Sequence, residues 1–358
     1  MVYGIICEFN PFHRGHQHLI NTVKKDGDLV ICAMSGNFVQ RGEPAVYNKF
    51  TRAEAALMGG ADLVIEIPTV FATRSAKGFA EAGVTLLEAT GVCDALAFGA
   101  ECDDVAALQS LAAQLEAADA DIKAALAAGV SYPVARKRAI PSPLLDTPNN
   151  ILALEYLRCT HLQPVAVRRV GGGHDSDDAL YSAGAIRQQL PDCEIATLKH
   201  CESAVLYRLR TMTAADFAAI EDVSEGLENK IAEAVKTAGS LDELYSLIKS
   251  KRYTHARIRR IILRAFLGIQ KSDAAAPQYL RILGFNEKGR TLLTQMKNSA
   301  TLPLIARYSD AKALGGNVMA QFEAESRMSD IYGLCFTPPR PCEAEKTTPL
   351  IVINESEK

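Results

Sequence analysis

The stretch Gly4-Ile5-Ile6-Cys7-Glu8-Phe9-Asn10-Pro11-Phe12-His13-Arg14-Gly15-His16 decides how the rest of the chain is read. Val2 to Cys7 is an apolar run of strand length, Asn10-Pro11 signals a turn, and His16 to Lys25 has helical character that ends near Gly27. A strand that turns tightly into a helix puts the His-x-Gly-His pattern at a strand's carboxyl end, where open α/β sheets hold their ligands. Gly15 permits close approach of a phosphate to the backbone. The helix N-terminus adds free N–H groups and the positive end of a dipole. Two imidazoles there can stabilise charge that grows on a nucleotide α-phosphate during displacement. The pattern is short enough to arise by chance, so its weight comes from this strand–turn–helix setting.

The 358 residues have room for one large or two ordinary domains. Lys and Arg number 39 against 42 Asp and Glu, a formal net charge of −3, so any nucleic-acid site must be a local basic patch. No apolar run approaches membrane-spanning length, and the first strand carries the motif, so neither a membrane anchor nor a cleaved leader is expected. The nine cysteines show no Cys-x-x-Cys pair and no zinc spacing. They read as reduced core residues of a cytoplasmic protein, with no dedicated metal site. Cys7, one residue before Glu8, sits in an apolar strand and reads as packing, not as a nucleophile.

Strand-like and helix-like segments alternate through the first half. Strands are predicted at 3–7, 29–34, 62–67, 95–98 and 165–170. Helices are predicted at 16–25, 49–58, 76–89, 105–128 with a break inside, and 150–160. Such alternation implies parallel βαβ units with right-handed crossovers. The proline-rich, basic stretch 136–148 is expected as an irregular loop. Beyond residue 202 the pattern turns helical, with i, i+3, i+4 apolar spacing at 241–248, 256–267 and 287–297. The expected division is an α/β domain over 1–195, a helical domain over 196–336, and a proline-rich, then charged tail over 337–358.

Several loops carry chemistry. After the second strand, Ser35, Asn37, Gln40 and Arg41 are suited to a small carboxylate or a phosphate; an ordinary βα connection is the competing reading. Gly99, after the fourth strand, lets a base or ribose lie against the backbone. Asn149 and Asn150 can cap a helix, and an asparagine amide can also read adenine's edge. Arg168 and Arg169 precede the run Gly171-Gly172-Gly173-His174-Asp175 and can hold phosphates in a fork. Ser182 can cap a second helix while Arg187 reaches back along it, a clamp for a phosphate tail. The basic cluster Lys249 to Arg264 includes Lys251, Arg252, Arg257, Arg259, Arg260 and Arg264 beside Tyr253. Its arginines can follow a phosphate backbone or simply form a solvated face.

Taken in order, Glu8 to His16, Ser35 to Ala45, Pro148-Asn149-Asn150, Ser182 to Arg187 and the Lys251–Arg264 helix resemble the bacterial tRNA(Met) cytidine acetate ligase family. The similarity runs from Tyr3 to about Leu334. It implies an α/β, nucleotidyltransferase-like (Rossmann-type) parallel sheet with a C-terminal helical domain. It also implies ATP as substrate, acetyl-adenylate as intermediate, and acetate and elongator tRNA(Met) as partners. The product would be N4-acetylcytidine at the wobble position, and Mg²⁺ would enter only with ATP. The family's ATP contacts fall on Ile6, Cys7, Glu8, Phe9, Asn10, Pro11, Phe12, His13, Arg14, Gly15, His16, Gln17, His18 and Leu19, with Gly99, Asn149, Arg169, Ser182 and Arg187. His13 and His16 take the catalytic role. Three departures stand out. Arg14 replaces the usual asparagine, Gly184 replaces a common serine, and the stretch between Tyr156 and Val165 is short, which leaves Arg168 as an alternative to Arg169.

The implied chemistry suits these residues. Acetate is a poor acylating agent, and a mixed anhydride with AMP activates it. Ser35, Asn37 and Gln40 are the expected acetate contacts. Acetyl transfer to the cytidine amine would then rely on proximity. Two other readings compete: a small-molecule adenylyltransferase acting on a phosphorylated cofactor precursor, and a non-catalytic RNA-binding protein with a relic nucleotide site.

Overall fold

The computed structural model describes residues 1–170, 182–224, 226–273 and 275–354. Among the described residues ten strands are formed: β1 Val2–Cys7, β2 Leu29–Ser35, β3 Phe38–Val39, β4 Glu43–Pro44, β5 Leu63–Ile67, β6 Ala95–Ala100, β7 Gln163–Arg168, β8 Leu280–Asn286, β9 Leu304–Ile305 and β10 Ile351–Ile353. The main sheet runs β10-β8-β5-β2-β1-β6-β7, with β9 alongside β8; β3 and β4 form a separate small hairpin. From β5 to β7 all pairings are parallel, as the alternating pattern predicts. The fold is thus α/β, a mostly parallel sheet with helices around it.

Alternation along β1 shows why the sheet is covered on both faces. Ile6 faces a core with Ile31, Ala33, Phe79 and Leu96. Ile5 and Cys7 face Ile20, Val30, Ala53 and Leu57, from the helices Arg14–Val23 and Lys49–Met58 and from β2. The chain leaves β1 towards β2 and β5, then returns to β6 on the other side of β1. That reversal opens a crevice at the carboxyl ends of β1 and β6, where Cys7 leads into the His-x-Gly-His turn and Gly99 lies.

Four expectations need correction. The stretch 136–148 is not an irregular loop. A helix spans Tyr132–Ala139, a 3-10 turn spans Pro143–Leu145, and the next helix starts at Pro148, where a missing N–H costs nothing. Arg136, one of its basic residues, is buried and pairs with Glu155. The fifth parallel strand lies two residues earlier than expected, at Gln163–Arg168.

The other two corrections concern the C-terminal part. The stretch 196–336 is not purely helical, because β8 and β9 join the sheet, β8 antiparallel to β5. The segment 337–358 is not a tail as far as it is described: β10 pairs with β8, and Glu345 is buried. Burial of Glu345 has a clear electrostatic cause. Lys49 is 1 % exposed and places its ammonium 2.6 Å from Glu66 and 2.5 Å from Glu345. Arg281 of β8 lies 3.6 Å from Glu345, and Ser329 Oγ donates to it. Burial opposes charge on Lys49, but Glu345 and Glu66 hold its pKa above the ordinary value.

Candidate active site

At the β1–β6 crevice a cavity of about 410 Å³ opens. The turn Glu8–His13 carries the chain into it. Phe9 holds a left-handed φ of 46°, Asn10–Pro11 is cis, and Asn10 Oδ1 accepts from the Val46 N–H. Arg52, 1 % exposed, fastens this edge by donating to the backbone carbonyls of Glu8, Gly36 and Tyr47. Sequence reading missed Arg52, since nothing about one arginine inside an amphipathic helix marks it as a staple.

His13 is the N-cap of the Arg14–Val23 helix. Its Nδ1 accepts from the Gly15 N–H at 3.0 Å, and His16 Nδ1 accepts from the His13 N–H at 3.3 Å. A neutral imidazole that accepts at Nδ1 carries its proton on Nε2. Burial, then Arg169 and Arg187, push the His13 pKa down from 6.5 to about 4. Burial, His13 and Arg169 push His16 well below its ordinary value. Each ring is therefore a neutral Nε2–H donor at neutral pH. Phe9 and Phe12 fix the position of His16, with centroids 4.8 and 5.8 Å from its ring.

The cavity brings together most of the expected ligand residues: Ile6 to Asn10, His13, Gly15, His16, His18, Leu19, Gly99, Asn149, Arg169, Ser182 and Arg187. Pro11, Phe12, Arg14 and Gln17 do not line it. Phe12 packs behind His16, and a Cβ on Gly59 would lie 2.2 Å from its ring; Arg14 is exposed. In front of Gly99 the space is open, since an added Cβ would meet only Arg169 Cγ, at 3.6 Å. Asn149 Nδ2 donates to Glu101, and Asn150 donates to the same carboxylate while its Oδ1 accepts from Glu101 and Cys102 N–H. Asn150 thus ties its helix to the end of β6, and Asn149 lies on the cavity wall.

Arg168 and Arg169 both reach the cavity, and it is Arg169 whose charge bears on the two histidines. The run 171–175 lies outside the described residues. Ser182 caps the Ala183–Gln189 helix through the Ala185 N–H, and Arg187 Nη1 donates to the Asn10 carbonyl at 2.6 Å. A serine at 184 would fit, its Cβ 3.6 Å from Ser182 Oγ. Arg41 and Glu43 also line the cavity; their position in a polar loop was the only signal. Burial raises the Glu8 pKa, although Glu8 accepts from the Gln40 N–H. Burial pushes the Cys7 thiol well up, in keeping with packing.

Two of the three expected acetate contacts are elsewhere. Ser35 is fully buried and off the cavity, on the strand face that meets the core. Asn37 spends its amide on Ser329 Oγ and the Lys49 N–H, so it braces a loop. Gln40 alone lines the cavity, with its Nε2 on the Arg74 carbonyl.

The basic helix His255–Leu267 also departs from expectation. Arg264, 1 % exposed, donates to the Val70 carbonyl and Thr73 Oγ1 and pairs with Glu221. Arg260 is buried against Asp222. Arg257 donates to the Asp222 carbonyl and Ser224 Oγ. Arg259 pairs with Glu43. Each of these arginines has partners within the protein, and the buried pair Arg260 and Arg264 cannot track a phosphate backbone. Lys251 is exposed, and Arg252 lies beside Gly129, where an added Cβ would come within 3.4 Å of its guanidinium.

A family model described as HIGH Nucleotidyl Transferase matches residues 1–347. The chain is 37% identical to the tRNA(Met) cytidine acetate ligase of Syntrophomonas wolfei, across 94% of this chain and 95% of that one. It is 34% identical to that of Acetivibrio thermocellus, across 94% and 96%. It superposes on Thermotoga maritima TmcAL with a TM-score of 0.90 at 30% identity, and on the same protein bound with alpha-thio ATP with a TM-score of 0.89 at 31%, each over 99% of both chains.

Proposed function

The chain belongs to the HIGH nucleotidyltransferase family and, within it, to the tRNA(Met) cytidine acetate ligases; on that premise we propose that its cavity activates acetate with ATP and passes the acetyl group to N4 of the wobble cytidine of elongator tRNA(Met). It is an ATP-binding ligase. The adenylyltransferase and relic-site readings are not favoured, because the relatives are ligases and one binds an ATP analogue.

In the proposed first step an acetate oxygen attacks the α-phosphorus and pyrophosphate leaves, giving acetyl-adenylate. His13 and His16 donate their Nε2–H groups to the non-bridging oxygens as charge builds there. Arg169, Ser182 and Arg187 hold the phosphate tail, and Gly99 and Asn149 border the nucleoside. Gln40 remains the candidate acetate contact. In the second step the cytidine amine attacks the acetyl carbonyl, AMP leaves with the bonding electrons, and the nitrogen sheds a proton to water. The observation that carries this reading is the pair of neutral, Nδ1-accepting histidines in the cavity.

Mg²⁺ would enter with the nucleotide phosphates; among the described residues no group of three or more His, Cys, Asp or Glu is arranged for a metal. Lys251 and Arg252 are the proposed RNA contacts. A tRNA substrate would place the protein in the cytoplasm, and no described helix is long and apolar enough to cross a membrane. ATP–pyrophosphate exchange, with and without acetate and with and without tRNA, tests the proposal. Acetate-dependent exchange is expected. Exchange absent under every condition, despite ATP binding, would overturn it.

A further inference from the structure

We propose that Arg259 is a positioning residue for the nucleotide cavity, acting through Glu43, and not an RNA contact; this rests on the ATP-ligase reading above. The His255–Leu267 helix touches the tip of the β3–β4 hairpin backbone to backbone. Gly42, at that tip, has a φ of 79°, and a Cβ there would lie 2.3 Å from the Arg260 nitrogen and 2.5 Å from the Arg259 carbonyl carbon. Only glycine fits so close an approach. The next residue, Glu43, pairs with Arg259 Nη1 and lines the cavity. Arg259 is held from both sides. Its guanidinium lies 5.8 Å from the Tyr245 ring, and its helix is fixed by Arg260 on Asp222 and Arg264 on Val70.

Two routes lead from Glu43 to the histidine turn. Along the hairpin, the Gln40 N–H donates to Glu8 Oε1 at 2.7 Å, and Gly42 N–H closes the turn on the Val39 carbonyl. Across the cavity, the charge of Glu43 bears on Arg187, whose Nη1 holds the Asn10 carbonyl. A surface ion pair of this kind adds little to stability. Its importance is local: Glu43 is an anion on the wall of a cavity that must receive a polyphosphate. Arg259 neutralises it and holds the lip in place.

The test is calorimetric binding of α-thio ATP, without tRNA, to the full chain. Arg259→Ala should weaken binding about tenfold, the scale of mutations that act on a site through intervening groups. Adding Glu43→Gln to Arg259→Ala, which removes the anion that the arginine no longer covers, should return affinity to within about threefold of wild type, whereas a merely structural pair would leave the double variant as weak as the single one. Should Arg259→Ala fail to fold, Arg259→Gln keeps the stem over Tyr245 and carries the same expectation. Unchanged affinity for the analogue, with loss confined to tRNA binding, would overturn the inference, as would failure of Glu43→Gln to restore affinity. If wild type itself does not bind the analogue, the ligase reading falls; if wild type binds and the variants match it, only this inference falls.

Discussion

His13 and His16 stack ring on ring, with centroids 3.7 Å apart and planes 26° apart, each Nδ1 occupied by a backbone N–H. One helix turn thereby builds two donors of the same tautomer side by side. His16→Ala should lower acetate-dependent adenylation about 10²–10³-fold, the scale of losing one transition-state donor. Near-normal turnover would remove His16 from the chemistry.

The two rings should stay neutral well below the range where histidines usually titrate. The His13 pKa is about 4 in the folded chain against 6.5 for an ordinary histidine. Between these values the unfolded chain binds more protons, so the histidine contribution to stability is complete above pH 6.5 and is lost as pH falls towards 4. Ring-carbon NMR shifts followed from pH 8 to 4.5 check this. A His13 midpoint near 6.5 would contradict it.

Arg264 and Lys251 should behave in opposite ways. Arg264→Ala removes the buried donor to the Val70 carbonyl and Thr73 Oγ1 and leaves Glu221 with Arg74 alone, at a cost of about 2–4 kcal/mol in urea unfolding. It should leave the salt dependence of tRNA binding unchanged. Lys251→Ala should leave stability alone and reduce that slope by about one charge. Filter binding across a salt series, paired with unfolding curves, separates the two.

Gly99→Val should block the cavity without harming the fold. A Cβ there meets only Arg169 Cγ at 3.6 Å, so the added methyls enter open space. Stability should change by less than about 1 kcal/mol, and α-thio ATP affinity should fall more than about tenfold. Retained affinity would place the nucleoside elsewhere.

Glu345→Ala should destabilise the whole chain. It leaves Lys49 and Arg281 buried around one carboxylate fewer, which costs about 3–5 kcal/mol. A loss under 1 kcal/mol in urea unfolding would mean that residues 337–354 are an appendage after all.

The central fold and the histidine turn were legible because both are local. Continuous apolar runs of strand length, the Asn10-Pro11 turn and the helix that follows it depend on neighbours in sequence. Gly99, Asn149, Arg169 and Arg187 were each readable as ligand-suited residues, but only the resemblance joined them into one site, since four elements far apart in sequence bring them together. What stayed hidden depends on long-range partners. Leu280–Asn286 contains Arg281 and Gly284, which break a strand pattern; Arg281 is tolerated because Glu345 lies beside it. The arginines of 257–264 look like a solvated or RNA-facing stripe, but Asp222, Glu221 and Glu43 claim them. Ser35 and Asn37 have site-like chemistry, yet one is sealed in the core and the other braces a loop.

The place of β8 beside β5 has a consequence for biosynthesis. β5 ends at Ile67 and its partner begins at Leu280, so the ribosome must add more than two hundred residues before that edge is covered. At ordinary elongation rates this takes about 10–40 s. During that interval the nascent sheet shows an open, apolar edge strand, Leu63-Val64-Ile65-Glu66-Ile67, with Glu66 awaiting the rest of its charge cluster. Slow codons or premature termination before Leu280 would prolong the exposure, which makes this edge the natural point for a chaperone to engage during synthesis.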